Sequence, residues 1–416
     1  MTELHNIACS ATAEVPSLAA ESRAAAYWTV VGRAFRRSWI NRLASGWILL
    51  IILIAIIVPF LANGSPYTVV IDGQREFPLF RNLTRADWII LVCGSAAAIY
   101  AIAHWRIGKR PGTNEEVRAT RVKWLLSLLL CAALISAGIW ELKHDYLDVR
   151  DYHALAKQGK LQDAVFAPLR WGFADQEPLD VDHTFDFPTH DHVLGTDGNG
   201  RDALARLLWG ARIVLGIGLI SEVIALVIGV MYGAIMGYFV GTADILGMRF
   251  VEIVEAIPTL FLLITFVAIY GRNIYMLMVI IGLTSWTGIA RFVRAEFLRI
   301  RALDYVTAAR AAGLPLSSIL FRHMLPNGLT PVIVTFTFGV AAAVTSESIL
   351  SFLGIGVEPP TPSWGSMLNE AGNPAETFRW WLAIAPGFLI FLTVFAYNII
   401  GEGLRDAIDP RLNKVQ

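Results

Sequence analysis

The sequence has little charge and little cysteine. Of its 416 residues only 16% are charged, whereas 55% are hydrophobic, and the mean hydropathy is +0.55. This balance lies outside the range of soluble globular proteins and predicts a polytopic membrane protein. Cys9, Cys93 and Cys131 lie far apart, so they predict neither a disulfide framework nor a metal site. The net charge is zero, which gives no reason to expect a nucleic-acid partner.

Motifs of nucleotide binding and catalysis are also missing. The sequence contains no G-x-x-x-x-G-K-[ST] run, which would cradle nucleotide phosphates, and no nucleophile elbow or H-E-x-x-H. We therefore expect a non-catalytic chain with no cofactor of its own. A cleavable signal peptide is not expected either, because the first long apolar run begins only near Gly46.

Long apolar runs are abundant. A bilayer core of about 30 Å needs roughly 17–25 helical residues. Tryptophans stand at or near the ends of several runs, as interfacial anchors do. Eight runs are candidate spans: Gly46–Ala62, Trp88–Ala103, Trp124–Trp140, Ile213–Val240, Val251–Tyr270, Ile274–Phe292, Gly328–Phe352 and Trp381–Ile400.

Basic residues predict the orientation of these spans. They concentrate in the N-terminal arm, in the loop between spans two and three and in the loop between spans six and seven. With eight spans these three segments share one side, and the positive-inside rule places that side in the cytoplasm. The segment Glu141–Thr196 then lies outside, and it carries eleven acidic residues against five Lys or Arg.

The cytoplasmic loop before span seven has the pattern of two short helices. Asp304 can cap the first, Gly313 suits a left-handed C-terminal cap, and Pro315 suits the first turn of the second. Pro326 is expected to end the second helix. The apolar residues Leu316, Ile319, Leu320 and Met324 recur there at helical spacing. Two interpretations remain open: an amphipathic hairpin on the membrane surface, or a compact element that docks in the groove of a partner.

This loop resembles the coupling loop of permease subunits of ABC importers. The resemblance lies in Ala308-Ala309, Gly313 and His323-x-Leu325-Pro326 at the family's spacing, and it departs from the family at Thr307, where Glu is frequent. In the family this loop docks into the ATPase subunit. The resemblance implies coupling roles for Thr307, Ala308, Ala309, Arg310, Ala311, Gly313, Leu314, Leu316, His323 and Pro326.

Further stretches are similar to the dipeptide, oligopeptide and nickel branch of that family, and to its C-type subunit. They are His192–Gly218, Arg249–Leu263, Glu347–Leu368 and Gly401–Leu412. The segment Asn63–Phe80 resembles the subgroup linked to the peptide antibiotic microcin C. Members usually have six spans, so this chain is expected to be an all-α polytopic membrane protein with a six-helix core plus the pair Trp88–Ala103 and Trp124–Trp140, which we place at the periphery of the bundle.

The resemblance also implies a domain order and a function. The expected regions are a cytoplasmic arm (1–45), a membrane region with the extra spans (46–140), a periplasmic segment (141–210), the permease domain (211–404) with its coupling loop (291–327), and a cytoplasmic tail (405–416). The implied function is peptide import across the bacterial inner membrane, with both termini cytoplasmic.

The implied partners are a second, homologous permease, two ABC ATPase subunits that bind ATP and Mg, a periplasmic substrate-binding protein and membrane lipid. Import of nickel or another metal complex remains an alternative. An ion-gradient-driven secondary transporter is a more distant one, because Pro258 suggests a broken helix but no inverted repeat accompanies it.

Charged residues within the spans are candidates for the translocation path. Glu347 and Glu222 are candidate path residues, because charges in a membrane seldom face lipid. Two roles remain open for Glu347, contact with a peptide amino group in the path or a hydrogen bond to the neighbouring subunit, whereas Glu222 is expected to bond within the bundle rather than to bind substrate. Pro258 is the third candidate, because it suggests a broken helix. Glu252 and Glu255 are expected to cap a helix or pair with basic loop residues. In span four Gly229, Gly233 and Gly237 follow the spacing that permits close helix crossing.

The outer loop Asp197–Asp202 looks at first like a calcium loop, but Arg201 occupies a ligand position. We expect an Asx turn instead, followed by a helix Ala203–Trp209 that is capped by Asp202 and lies along the outer membrane surface. His183, His190 and His192 with nearby aspartates leave a metal site open as an alternative, although we expect none.

Overall fold

The computed structural model describes residues 27–71, 73–107, 114–142, 150, 152–176, 184–372 and 378–408. Cys9, Asp72, Asp182, His183 and the residues after 408 lie outside this part of the chain. Residues 27–37 are helical.

The helices and strands of the first half are α1 (Trp39–Leu61), β1 (Thr68–Ile71), β2 (Gln74–Glu76), α2 (Pro78–Asn82), α3 (Arg85–Ile107), α4 (Asn114–Leu142), α5 (Tyr152–Lys157) and β3 (Gln162–Val165). Those of the second half are α6 (Ala203–Phe239), α7 (Thr242–Ala256), α8 (Thr259–Tyr270), α9 (Ile274–Arg301), α10 (Asp304–Ala311), a π-helical turn (Ser318–Met324), α11 (Leu325–Gly328), α12 (Val332–Phe352), α13 (Trp364–Ala371) and α14 (Trp380–Ile408).

The expected all-α membrane architecture is confirmed. In the described part of the chain seven helices are long and apolar enough to cross a membrane, and the bent pair α7 and α8 makes an eighth if it counts as one span. The seven are α1, α3, residues Thr120–Glu141 of α4, α6, α9, α12 and α14.

Span five is not the single helix that its apolar run predicted. The axes of α7 and α8 differ by 76°, and Ile257 between them is extended, with φ −84° and ψ 121°. Pro258 explains the break, because its ring disfavours helical conformation in the preceding residue and it has no N–H to donate. The first helix of this bent pair, α7, also begins earlier than expected, at Thr242 rather than Val251.

Span four is longer than predicted. The expected surface helix Ala203–Trp209 and the span Ile213–Val240 form one helix of 37 residues, α6, which is about 55 Å long. Gly210, which separated the two in the sequence, is a packing residue. A Cβ there would lie 2.8 Å from the indole of Trp364 in α13, so glycine admits this ring rather than ending the helix.

The described residues divide into two compact units. Unit 1 comprises Met1–Leu49, Gly216–Leu350 and Phe388–Gln416, and unit 2 comprises Leu50–Leu215 and Ser351–Gly387. Helices α1, α6, α12 and α14 contribute residues to both.

In unit 1, α6 and α9 pack in direct contact. The predicted small-residue positions carry this contact: Gly229 faces Ile289, Gly233 faces Ala290 and Val293, and Gly237 faces Phe297. Gly282 of α9 adds a further close approach, to Ser221 and Ile224 of α6. The absence of side chains at these positions lets the two backbones approach closely.

Unit 2 contains a small antiparallel sheet of order β2-β1-β3. The helix pair α3 and α4 lies in the chain between β2 and β3. In both helices only 6% of the most apolar window is buried. Gly94 of α3 packs against Ile56 of α1, whose side chain would lie 3.0 Å from a Cβ at this glycine.

Candidate functional site

The loop before α12 folds into a compact hairpin, residues 304–328, which we call the wedge. Its first helix, α10, begins after Leu303, which occupies the cap position and makes no side-chain capping bond. The expected cap at Asp304 is therefore wrong by one residue. Asp304 lies in the first turn instead, where its carboxylate still complements the helix dipole.

The end of α10 is as predicted. Gly313 has φ +70°. Its N–H donates to the Arg310 carbonyl at 2.9 Å, and the Leu314 N–H donates to the Ala309 carbonyl at 3.2 Å. These two bonds form a Schellman motif, which reverses the chain within two residues. Pro315 directly precedes the next helical turn, and its carbonyl accepts the Ile319 N–H at 3.1 Å.

The second segment of the wedge is not an ordinary α-helix that stops at Pro326. Residues Ser318–Met324 form a π-helical turn, and the chain continues through Pro326 as α11. The Leu325 N–H donates to the Leu320 carbonyl, five residues back. A proline within an α-helix lacks a donor and collides with the carbonyl four residues earlier. The wider turn accommodates Pro326 without ending the helix.

The inner face of the wedge belongs to the hydrophobic core of unit 1. Val306, Ala309, Ile319 and Met324 are buried in one cluster with Phe297 and Ile300 of α9, Met236 of α6 and Val332 of α12. In the π-helical geometry Ile319 and Met324, five residues apart, share this buried face. Burial of one large apolar side chain contributes about 1.5–3 kcal/mol, so the wedge is fixed firmly to the ends of these helices.

Polar contacts join the two halves of the wedge. The Asn327 amide donates to the His323 carbonyl at 2.8 Å and to the Tyr305 hydroxyl at 3.4 Å, and the Tyr305 hydroxyl reaches the His323 carbonyl at 3.5 Å. Burial raises the pKa of the Tyr305 phenol, and the bond from Asn327 opposes this effect. The neutral phenol remains able to donate.

Arg310 of the wedge lies over the aromatic ring of Tyr238. Its guanidinium is 4.9 Å from the ring centroid of Tyr238 in α6, a cation–π distance. Its Nε and Nη2 atoms are buried without a hydrogen-bond partner.

The outer face of the wedge is exposed and largely apolar. Of the ten residues to which the sequence assigned a coupling role, Ala309 points inward, and Arg310 and His323 are half-buried. The others are exposed: Thr307, Ala308, Ala311, Gly313, Leu314, Leu316 and Pro326. The Thr307 hydroxyl bonds the Asp304 carbonyl at 2.8 Å. Sequence reasoning missed Tyr305 and Asn327 as internal ties, and the exposed Phe321.

Ion pairs connect α7 to α9 near the wedge. Arg294 of α9 holds Asp244 through two bonds, of which Nη2 to Oδ2 measures 2.7 Å. Arg291 pairs with Glu255, whereas Glu252 pairs with Arg249 on its own helix at 2.6 Å. The expected pairing with a basic residue of the loop 291–327 is therefore confirmed for Glu255 and wrong for Glu252, whose partner lies one turn away on its own helix.

The candidate path residues lie in different environments. Glu222 of α6 is 1% exposed, its Oε1 has no hydrogen-bond partner, and its carboxylate packs against Gly339 of α12, where a Cβ would overlap it. Glu347 is fully buried, with the Ser348 hydroxyl 3.5 Å from its Oε2. Pro258 is exposed at the break between α7 and α8.

Comparison with known proteins identifies the family. Residues 229–414 match the family model described as binding-protein-dependent transport system inner membrane component. An oligopeptide transport system permease protein, OppC, of Haemophilus influenzae is 42% identical over 220 residues, which cover 53% of this chain and 70% of that protein. OppC of Bacillus subtilis is 37% identical over 253 residues, which cover 60% and 82%. The chain belongs to this family of ABC importer permeases.

Other relatives agree with this assignment. The glutathione transport system permease protein GsiD of Pectobacterium atrosepticum is 39% identical over 241 residues, covering 56% of the permease and 80% of that protein. A chain of the MetNI methionine ABC transporter superposes with a TM-score of 0.39 at 21% identity, covering 48% of the permease and 96% of that chain. So distant a superposition adds nothing to the assignment, which the sequence relatives carry. The resemblance recognised from the motifs is confirmed.

In the permease, residues 197–206 form a buried ionic cluster with Glu370. Asp197 accepts the N–H groups of Asn199 and Arg201 at 2.8 and 3.0 Å and the Arg201 Nε at 2.7 Å. Arg206 contacts Asp197 as well, and it also binds both oxygens of Glu370 at 2.7 and 2.9 Å. The calcium-like spacing of this loop forms an Asx turn, as expected, because the Asp197 carboxylate accepts these N–H groups and contacts two arginines.

Asp202 caps α6 as predicted. Its Oδ1 accepts the Ala205 N–H at 2.7 Å, and its Oδ2 lies 2.9 Å from Nδ1 of the buried His192. His192 therefore stabilises the start of the helix. The described residues contain no group of three or more potential metal ligands, and His183 lies outside them.

Proposed function

We propose that this permease imports peptides across the inner membrane with energy from ATP. The substrate class rests on the relatives, which are named as oligopeptide, dipeptide and glutathione permeases. A second, homologous permease completes the path, two ABC ATPase subunits bind ATP and Mg, and a periplasmic binding protein delivers the peptide. Both termini and the wedge face the cytoplasm.

One observation carries this proposal: the wedge has a buried face and an exposed face. Its inner residues belong to the same core as α6, α9 and α12, while Leu314, Leu316 and Phe321 at 39%, 39% and 68% exposure remain uncovered. A short helix with an apolar outer face suits a hydrophobic groove on a partner. The sequence has no phosphate-binding loop, so the partner is the chain that binds ATP.

The mechanism follows from the stiffness of this connection. When ATP closes the ATPase pair, each groove displaces its wedge as a rigid body, and the shared core transfers that displacement to α9 and α12. The ion pairs of Arg294 and Arg291 transfer it to α7, up to the break at Pro258. ATP must bind one of the two states more tightly, because a ligand without such a preference shifts no equilibrium.

The test compares two exposed leucines of the wedge region. Leu314→Asp places a charge on the proposed docking face, and we expect a loss of at least tenfold in ATP-driven peptide uptake by proteoliposomes that contain the assembled importer. Leu303→Asp is the matched control, since Leu303 is equally exposed, at 38% against 39%, but stands at the start of α10. Normal uptake by the Leu314 variant would contradict the proposal.

The same vesicles test the energy source and the substrate. A labelled tripeptide should accumulate only with ATP inside the compartment that holds the ATPase, and a protonophore should leave uptake unchanged. Accumulation of nickel ions rather than peptide would favour the metal-complex alternative. Uptake that a protonophore abolishes while ATP stays constant would favour a secondary transporter.

A further inference from the structure

The two additional helices line an open cavity that no part of the transport mechanism uses. It has a volume of about 320 Å³ and is lined by Ile99, Ile102, Ala103, Arg106 and Ile107 of α3 and by Trp124 of α4. This volume lies at the lower end of the roughly 300–1,000 Å³ typical of small-molecule sites. We propose that this cavity binds an anionic phospholipid, with an acyl chain along the apolar stripe and the phosphate at Arg106.

The spacing of the lining residues supports an elongated apolar ligand. The α3 residues recur at intervals of three and four, so they form one stripe along the helix. From Ile99 to Arg106 the stripe extends about 10 Å along the axis. Its members are apolar until the last turn, where Arg106 supplies a cation. An acyl chain followed by a phosphate has the same order of chemistry.

The charges at this end of the pair match an anionic headgroup. Between His104 and Lys123 the sequence has six Lys or Arg and two Glu. Among the residues whose side chains the structure describes, none forms an ion pair with Arg106. Arg121 reaches the His104 carbonyl with Nη2 at 3.5 Å, and its Nε is buried without a hydrogen-bond partner. A lipid phosphate in the cavity supplies acceptors for the guanidinium of the lining residue Arg106.

The surroundings favour lipid over a protein occupant. In each helix only 6% of the most apolar window is buried, as expected for helices in contact with lipid. The lining residue Trp124 is 44% exposed, and Trp105, next in sequence to Arg106, is 62% exposed. Tryptophan concentrates at the level of the lipid headgroups. Basic pockets between membrane helices are known to suit anionic headgroups.

Native mass spectrometry of the purified full chain tests the proposal by titration with phosphatidylglycerol and, separately, with phosphatidylcholine. Wild type should bind the first phosphatidylglycerol more tightly than the first phosphatidylcholine. Arg106→Gln should weaken binding of phosphatidylglycerol about fivefold, the effect of one basic side chain near an anionic surface. Ala103→Trp, which fills the cavity and keeps every charge, should abolish the preference.

Two variants serve as matched controls. Ala101→Trp adds the same ring on the same helix outside the cavity lining, and Lys123→Gln removes a charge at the same helix end. The Ala101 variant should bind as wild type does, and the Lys123 variant should lose less affinity for phosphatidylglycerol than Arg106→Gln, because Lys123 lies outside the cavity lining. All variants should share the thermal midpoint of wild type, which excludes misfolding. Any of four results would overturn the proposal. These are equal binding of the two lipids by wild type, unchanged binding by the Ala103 variant, displacement of the lipid by millimolar inorganic phosphate, and a cavity covered by a second copy of the chain.

Discussion

Among single residues, Arg206 occupies the most demanding position in the permease. It is 2% exposed, and its partner Asp197 is fully buried. Arg206 and Arg201 together face Asp197 and Glu370, so the cluster balances its charges. Taking ions out of water is costly, and only complete pairing and hydrogen bonding offset that cost. Removal of one member therefore leaves a buried charge uncompensated.

Arg206→Gln should destabilise the permease by about 3–5 kcal/mol, the usual effect of breaking a buried pair on one side. The measurement is the thermal midpoint of the purified chain in detergent. Arg249→Gln is the control, because the Arg249–Glu252 pair is solvent-exposed, with side chains 72% and 44% accessible. Exposed pairs contribute only about 0–1 kcal/mol. Equal midpoints for the two variants would show that the cluster is not a stabilising unit.

Residues that act on their immediate neighbours could be predicted from the sequence. Gly313 and Asp202 are examples, because a left-handed cap and an N-cap depend on four or five consecutive residues. The partner of Arg206 could not be predicted, since Glu370 is 164 positions away. The same holds for Glu222, whose neighbour Gly339 belongs to another helix. Its burial is a product of packing and has no local signal.

At the scale of helices, the close crossing of α6 and α9 depends on glycines of α6. Gly233→Ala should lower stability by about 1–3 kcal/mol, the range for overpacking, because its methyl group would meet the backbone carbonyl of Ala290 and the side chain of Val293. Backbone cannot rotate away as a side chain can. The thermal midpoint and the ATP-driven uptake of the assembled importer should both fall.

Gly288→Ala is the matched control, since Gly288 lies in α9 and a Cβ there meets nothing within 4 Å. This substitution should be neutral or should stabilise the helix by up to about 1 kcal/mol, because alanine has the higher helix propensity. If both alanine variants behaved alike, helix propensity rather than close packing would govern these positions.

The helix boundaries show where sequence reasoning reaches its limit. The apolar runs predicted where every span lies, because a helix needs about twenty consecutive apolar residues to cross the bilayer core. The apolar run of span five did not show its bend of 76°, although Pro258 within that run suggested a broken helix. The continuation of α6 through Gly210 could not be predicted, because it depends on the packing of Trp364 against this glycine. The π-helical turn before Pro326 and the three short strands were also missed. Strands as short as Thr68–Ile71 need a partner strand from elsewhere in the chain.

For the whole molecule, the position of the additional helix pair explains how it can be accommodated. β1 pairs with β2, which precedes the pair, and with β3, which follows it. The Tyr67 N–H also donates to the Val165 carbonyl at 2.7 Å. The two flanks of the insertion are thus joined by hydrogen bonds within unit 2. Because a pair of spans returns the chain to its starting side, the orientation of every later helix is preserved.

The expected orientation of the spans predicts which exposed positions a reagent can reach from outside the membrane. In a variant whose three cysteines are replaced by alanine, we introduce Ser317→Cys in the wedge or Lys160→Cys in the segment before β3, both at exposed positions. A membrane-impermeant maleimide should label the Lys160 variant in intact spheroplasts and the Ser317 variant only after permeabilisation, because the basic residues of the loops predict that the wedge lies on the cytoplasmic side. Permeabilised samples of both variants control for the reactivity of each thiol. Labelling of the wedge from outside would leave it unable to meet an ATPase, and the proposed coupling could not operate.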